Sequence, residues 1–94
     1  MSTSEQIVAR LRSALDAERV DLEDESHLHR GHAGARAGGG HFRVVVVSPR
    51  FAGLDRVARQ RAIYAALGEL MEREIHALSA RALTPEEWQA KPSS

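Results

Sequence analysis

Five histidines and no cysteine stand among the 94 residues of this chain. His27, His29 and His32 crowd into HLHRGHAGARAGGG, His41 opens HFRVVVVS, and His76 lies far downstream in IHALS. Imidazole is the commonest protein metal ligand and titrates near neutral pH. A chain that offers imidazoles without thiolates completes a soft-metal or iron–sulfur site only with donors from a partner. The loop spacing H-x-H-x-x-H is not the i, i+4 helical pair of a zinc protease, and no HExxH is present, so a dedicated zinc enzyme is not expected. Nor does any serine sit in a G-x-S-x-G turn beside a base, which argues against nucleophilic catalysis. The chemistry on offer is binding, not turnover.

Charge adds a second candidate surface. The 13 basic and 13 acidic residues cancel, so no global field points to nucleic acid or membrane. The distribution is uneven, however. Residues 16–25 hold six acids against Arg19 alone, while residues 30–61 hold seven arginines against Asp55 alone. Arg56 and Arg59 are one helical turn apart and, with Arg61, form a candidate basic patch for an acidic partner or for DNA phosphates.

These residues need a scaffold, and hydrophobic periodicity supplies one. Thr3-Ser4-Glu5-Gln6 reads as a capping box, after which Ile7, Leu11 and Leu15 recur at helical spacing, predicting a helix over about 4–17. Residues 20–26 alternate as a half-buried strand. Residues 27–40 carry five glycines and only Leu28 as a large apolar residue, which predicts a mobile loop rich in glycine and histidine. The run 41–48 is apolar on both faces and predicts a central strand. Leu54 to about Glu74 is predicted helical with a bend at Gly68. Ile75 to Leu83 alternates as a third strand, with Ile75, Ala77 and Ser79 on one face and His76, Leu78 and Ala80 on the other. Thr84-Pro85-Glu86-Glu87 is a second capping box, and Trp88 anchors the short helix it starts.

The expected architecture is α+β, a single domain over 1–94 with its core at about 5–90 and a frayed tail at 91–94. A three-stranded sheet carries helices in the order α-β-β-α-β-α. At this size a chain buries roughly 60–65% of its unfolded surface. The start MSTSEQIVARL lacks a basic stretch followed by an apolar one, and Val44–Val47 is far too short to span a bilayer, so a cytoplasmic, non-membrane protein is expected. Arginine outnumbers lysine twelve to one, which hints at a GC-rich bacterial genome.

LEDES, a histidine-bearing loop, HFRVVVVSPRFAG, RVARQRAIYAAL and IHALSARALTPEEW together resemble the BolA family over about residues 5–90. The resemblance implies a fold like a class II KH domain. Gly31-His32-Ala33-Gly34 does spell the G-x-x-G with which KH domains clamp nucleic-acid backbone. That clamp joins two helices, whereas this tetrad lies between two predicted strands, so the match is read as coincidence.

The resemblance also implies two roles. One is pairing with a monothiol glutaredoxin to bind a bridging 2Fe-2S cluster, in iron–sulfur trafficking or iron sensing. The other is DNA-binding regulation of transcription, in stress response and cell morphology. For the cluster role, the family's C-terminal histidine maps onto His76 and its loop ligand best onto His29, with His32 and His27 competing. The glutaredoxin and its glutathione would supply the two thiolates. For the DNA role the candidates are Arg56, Arg59 and Arg61. His41 is read as structural, close to the cluster. The chain departs from the family where Arg-His-Arg is usual and Arg59-Gln60-Arg61 stands instead. The free protein is expected to be a monomer or a weak homodimer.

Overall fold

The computed structural model describes residues 2–25 and 40–90. Helix α1 (Thr3–Leu15) is followed by strands β1 (Arg19–Asp24) and β2 (Gly40–Val47) and a single 3₁₀ turn (Pro49–Phe51). Helix α2 (Arg56–Leu67), the short α3 (Leu70–Arg73), strand β3 (Ile75–Leu83) and helix α4 (Pro85–Ala90) complete the order. Most of the predicted loop, with His27, His29 and His32, and the predicted frayed tail lie outside the described residues.

The three strands form one sheet in the order β1-β2-β3. β2 is central, as its two apolar faces require. It runs antiparallel to β1 and parallel to β3. A parallel pair needs a crossover, and α2 with α3 provides it. Helices α1 and α2 deliver Ile7, Leu11, Ile63 and Leu67 onto one face, against Phe42, Val44 and Val46. Phe51, in the 3₁₀ turn, is fully buried and packs in the same cluster. Ser48 is also fully buried; its hydroxyl donates to the Leu15 carbonyl and accepts from the Arg50 N–H, tying the end of α1 to the end of β2. No helix among the described residues is long and apolar enough to cross a membrane.

Three sequence expectations shift. The first capping box is made by Ser2 and Glu5, one residue earlier than read. Thr3 is therefore the first helical residue, and its hydroxyl donates to Glu74 at 2.8 Å. The long helix from Leu54 is two helices, because Gly68 takes φ +54 and its N–H closes α2 onto the Tyr64 carbonyl at 2.9 Å. A positive φ, open to glycine at no steric cost, takes the chain out of the right-handed helix, so the helix ends there rather than bending. Gly40, read as loop, is the first residue of β2.

Candidate functional site

The pairing of strands matters most at the start of β3. Gly40 pairs with Ile75, but the next residue of β2, His41, pairs with Ala77. One step on β2 therefore spans two on β3, and the extra residue is His76. A bulge of this kind breaks the strict alternation of faces and re-aims the residue it inserts. Ile75 is buried in the core, whereas His76 and Ala77 are both exposed. The alternation read from sequence, with His76 sharing a face with Leu78 and Ala80, is corrected by this bulge. Leu78 and Ala80 pack against the core, and the ring of His76 meets that of His41.

His41 reaches the same place by ordinary alternation. Its neighbour Phe42 enters the core, so His41 points the other way. The two ring centroids are 5.0 Å apart and the planes are tilted by 42°. The backbone around the pair is pinned. The Glu25 N–H donates to the His41 carbonyl at 2.7 Å, and the Gly40 N–H donates to the Glu74 carbonyl at 2.9 Å. The histidine-rich segment between Glu25 and Gly40 thus leaves and rejoins the sheet beside the imidazole pair. Among the described residues no three His, Cys, Asp or Glu side chains are grouped to hold a metal. A metal at His76 would draw its remaining donors from elsewhere.

The second candidate region lies at the other end of β3. Arg59 turns inward from α2. Its Nη1 and Nη2 donate to the two carboxylate oxygens of Glu87 at 2.6 and 3.1 Å. Nε donates to the Leu54 carbonyl at 2.9 Å and Nη1 also to that of Ala82 at 3.2 Å. Gln60 donates to the Ala80 carbonyl at 2.9 Å. Two carbonyls on the outer edge of β3 are thereby satisfied by side chains of α2. The predicted second capping box is present. Glu87 accepts from the Thr84 N–H at 2.9 Å, and the Thr84 hydroxyl accepts from the Glu87 N–H at 3.1 Å.

Electrostatics follow that geometry. The Arg59 guanidinium, with the Thr84 N–H adding to it, holds the Glu87 carboxyl down to about 2. The same hydrogen bond raises the pKa of Arg59. Trp88, the residue next after Glu87, lies under the Arg19 guanidinium at 4.7 Å from ring centre, which anchors α4 to β1. Arg56 and Arg61 are exposed on α2, so the three arginines that adjacency suggested as one patch divide into two exposed side chains and one that is 15% exposed.

A small sheet with helices on one face, closed by the TPEEW cap and carrying imidazoles at the start of its parallel pair, is the class of domain that the sequence motifs pointed to. Residues 11–87 match the family model described as BolA-like protein, and the chain belongs to that family. It is 42% identical over 86 residues to BolA-like protein 1 of Bos taurus, covering 92% of this chain but 62% of the relative. It therefore spans less than two thirds of that protein's length. It is 37% identical over 89 residues to the DNA-binding transcriptional regulator BolA of Escherichia coli (strain K12), covering 95% of this chain and 82% of the regulator. The solved BolA domain of SufE1 from Arabidopsis thaliana superposes with a TM-score of 0.80 at 37% identity, over 93% of this chain and 96% of that one.

Proposed function

We propose that this chain is an adaptor that pairs with a monothiol glutaredoxin and shares a bridging 2Fe-2S cluster with it, in iron–sulfur trafficking or iron sensing. The observation that carries the reading is His76, an exposed imidazole that a bulge presents beside His41, at the end of the sheet where the histidine-rich segment begins and ends. His76 supplies one ligand and His29 the other, with His32 and His27 as the competing loop donors. The chain has no thiolate, so the glutaredoxin cysteine and its glutathione complete the set. When bound, the cluster supplies one-electron chemistry and a labile iron–imidazole bond; a neutral imidazole in place of a thiolate raises the potential, as in Rieske centres. This chain's own residues bind and orient. The bulge fixes where His76 points, and the closed Arg59–Glu87 end keeps β3 rigid behind it.

Co-expression with a monothiol glutaredoxin, followed by visible circular dichroism of the purified complex, tests the reading. The parent is expected to give a heterocomplex spectrum distinct from that of the glutaredoxin cluster alone. His76→Ala should abolish that difference, and His29→Ala should weaken it more than His32→Ala or His27→Ala. A spectrum indifferent to His76→Ala defeats the ligand assignment.

A second reading is favoured by one specific observation, the E. coli relative named as a DNA-binding transcriptional regulator. In that reading the exposed Arg56 and Arg61 meet phosphates, while Arg59 positions α2 against β3. Each phosphate contact neutralised contributes about 0.9 to the slope of log K against log salt. Arg56→Ala with Arg61→Ala should then flatten the slope by about 2. An unchanged slope removes these residues from any DNA interface.

A further inference from the structure

We propose that the outer edge of β1, with the apolar groove between it and α1, is a strand-addition site for an extended segment of a partner protein that alternates apolar and basic residues. Neither the cluster reading nor the DNA reading uses this edge.

The sheet ends in β1 on one side and in β3 on the other, and the two edges differ. On β3 the outward carbonyls of Ala80 and Ala82 accept from the side chains of Gln60 and Arg59, so α2 covers that edge. An edge strand covered in this way is closed to further pairing. On β1 the Glu25 N–H donates to the His41 carbonyl, and the register sets Glu23 against Arg43 and Asp21 against Val45. Opposed residues of an antiparallel pair alternate between hydrogen-bonded and unbonded. The odd-numbered residues of β1 therefore direct their N–H and C=O groups to β2, and Val20 and Leu22 turn theirs away from the sheet. Among the described residues no side chain caps them as Gln60 and Arg59 cap β3.

The side chains of the same two residues pack toward the helix layer. With Val8 and Ala9 of α1 they line a groove of about 540 Å³ along the open edge. A strand added antiparallel, the more stable pairing, would bond to the outward groups of Val20 and Leu22 and lay every second side chain on this apolar floor. Its alternate side chains would stand on the uncovered face of the sheet, beside Asp21 and Glu23. Both acids are exposed. Asp21 is held by Arg19 at 2.6 Å, whereas Glu23 makes no ion pair among the described residues. Opposite charges on adjacent strands stabilise and like charges directly opposed destabilise, so basic residues fit these positions. The same rule disfavours a second copy of this chain. Pairing β1 with itself about Leu22 opposes Asp21 to Glu23 twice, and pairing about Asp21 opposes that residue to itself.

The probe is an acetylated, amidated octapeptide of alternating lysine and valine, titrated into the nitrogen-labelled full chain without glutaredoxin or DNA. The amide signals of Val20 and Leu22 should shift, and at saturation their hydrogen exchange should slow by more than about tenfold. Those of Ala80 and Ala82 should not move. The same peptide N-methylated at every valine keeps charge and side chains but loses the main-chain donors that face β1. It should bind more than about tenfold more weakly, the factor for two lost hydrogen bonds. Glu23→Lys should weaken binding of the parent peptide by about threefold or more, whereas Glu72→Lys, an equal change of net charge on the exposed side of α3, should not. The amide spectrum of each variant reports that the sheet is intact. Absence of a shift at Val20 and Leu22 with millimolar peptide overturns the proposal. So does equal binding of the N-methylated peptide, or an equal response to Glu23→Lys and Glu72→Lys, which would leave bulk charge as the only attraction. Protection of Val20 and Leu22 that appears in the free chain and fades on dilution would assign the edge to a second copy, and overturns it too.

Discussion

The two ends of β3 use polar side chains in opposite ways. At the C-terminal end, Arg59, Gln60, Thr84 and Glu87 hydrogen-bond to one another and to backbone carbonyls. At the N-terminal end, a bulge turns His76 outward beside His41, and both imidazoles face a surface. One end turns its polar side chains onto the fold; the other presents an exposed imidazole, His76, at the surface. A titratable residue with a perturbed pKa is often taken as a functional marker. Among the described residues the strongest perturbation, at Glu87, marks the structural end instead.

The contrast is broken most severely by Arg59→Ala. It leaves Glu87 without its counter-ion and the Leu54 and Ala82 carbonyls without their donor. A loss of about 2 kcal/mol is expected from charge-assisted hydrogen bonds of this kind, read as a lower urea midpoint at unchanged slope. Arg59→Lys should recover less than half, because an ammonium cannot bridge both carboxylate oxygens.

Acid attacks the same end more gently. The Glu87 carboxyl is depressed in the fold from 4.5 to about 2. A depressed carboxyl stabilises the fold fully above its unfolded pKa and loses that contribution as pH falls through the folded one. The attachment of α4 should therefore hold at pH 6 and loosen between about 4.5 and 2, reported by Trp88 fluorescence. Glu87→Gln should flatten this transition, and a variant that retraces the parent curve places the acid response elsewhere.

Gln60→Ala sharpens the comparison at smaller scale. It removes one neutral hydrogen bond to the Ala80 carbonyl, worth about 1 kcal/mol in urea denaturation. The smallest effect belongs to the open end. His76→Ala and His41→Ala should each change stability by less than about 0.5 kcal/mol, with His76→Ala altering the cluster spectrum, because neither ring fills the core. A loss of 2 kcal/mol or more in either, on the order of a charge-assisted hydrogen bond, would show that the imidazole pair is structural after all.

Much of the scaffold was legible in the residues themselves. Helical spacing of Ile7, Leu11 and Leu15, the two-sided apolar run in β2, and the Thr84–Glu87 capping box all describe local geometry, and each is present. The family was legible too, since its motifs are contiguous stretches of sequence. His76 was singled out on the same basis, and it sits exposed at the end of the sheet beside the segment that carries the loop histidines.

What stayed hidden depends on residues far apart in the chain. Arg56, Arg59 and Arg61 look equivalent in sequence, but only packing α2 beside β3 and α4 draws Arg59 to Glu87, 28 positions away. His41 and His76 meet only because β2 and β3 are parallel and their ladder slips by one residue at Gly40. A period of two residues fixes the face of each side chain within a strand, yet a bulge is set by the pairing of two strands and leaves no periodic trace in either. Sequence by itself determined the elements, the core and the kinship. Tertiary register decided which polar side chains are consumed by the fold and which are left to bind.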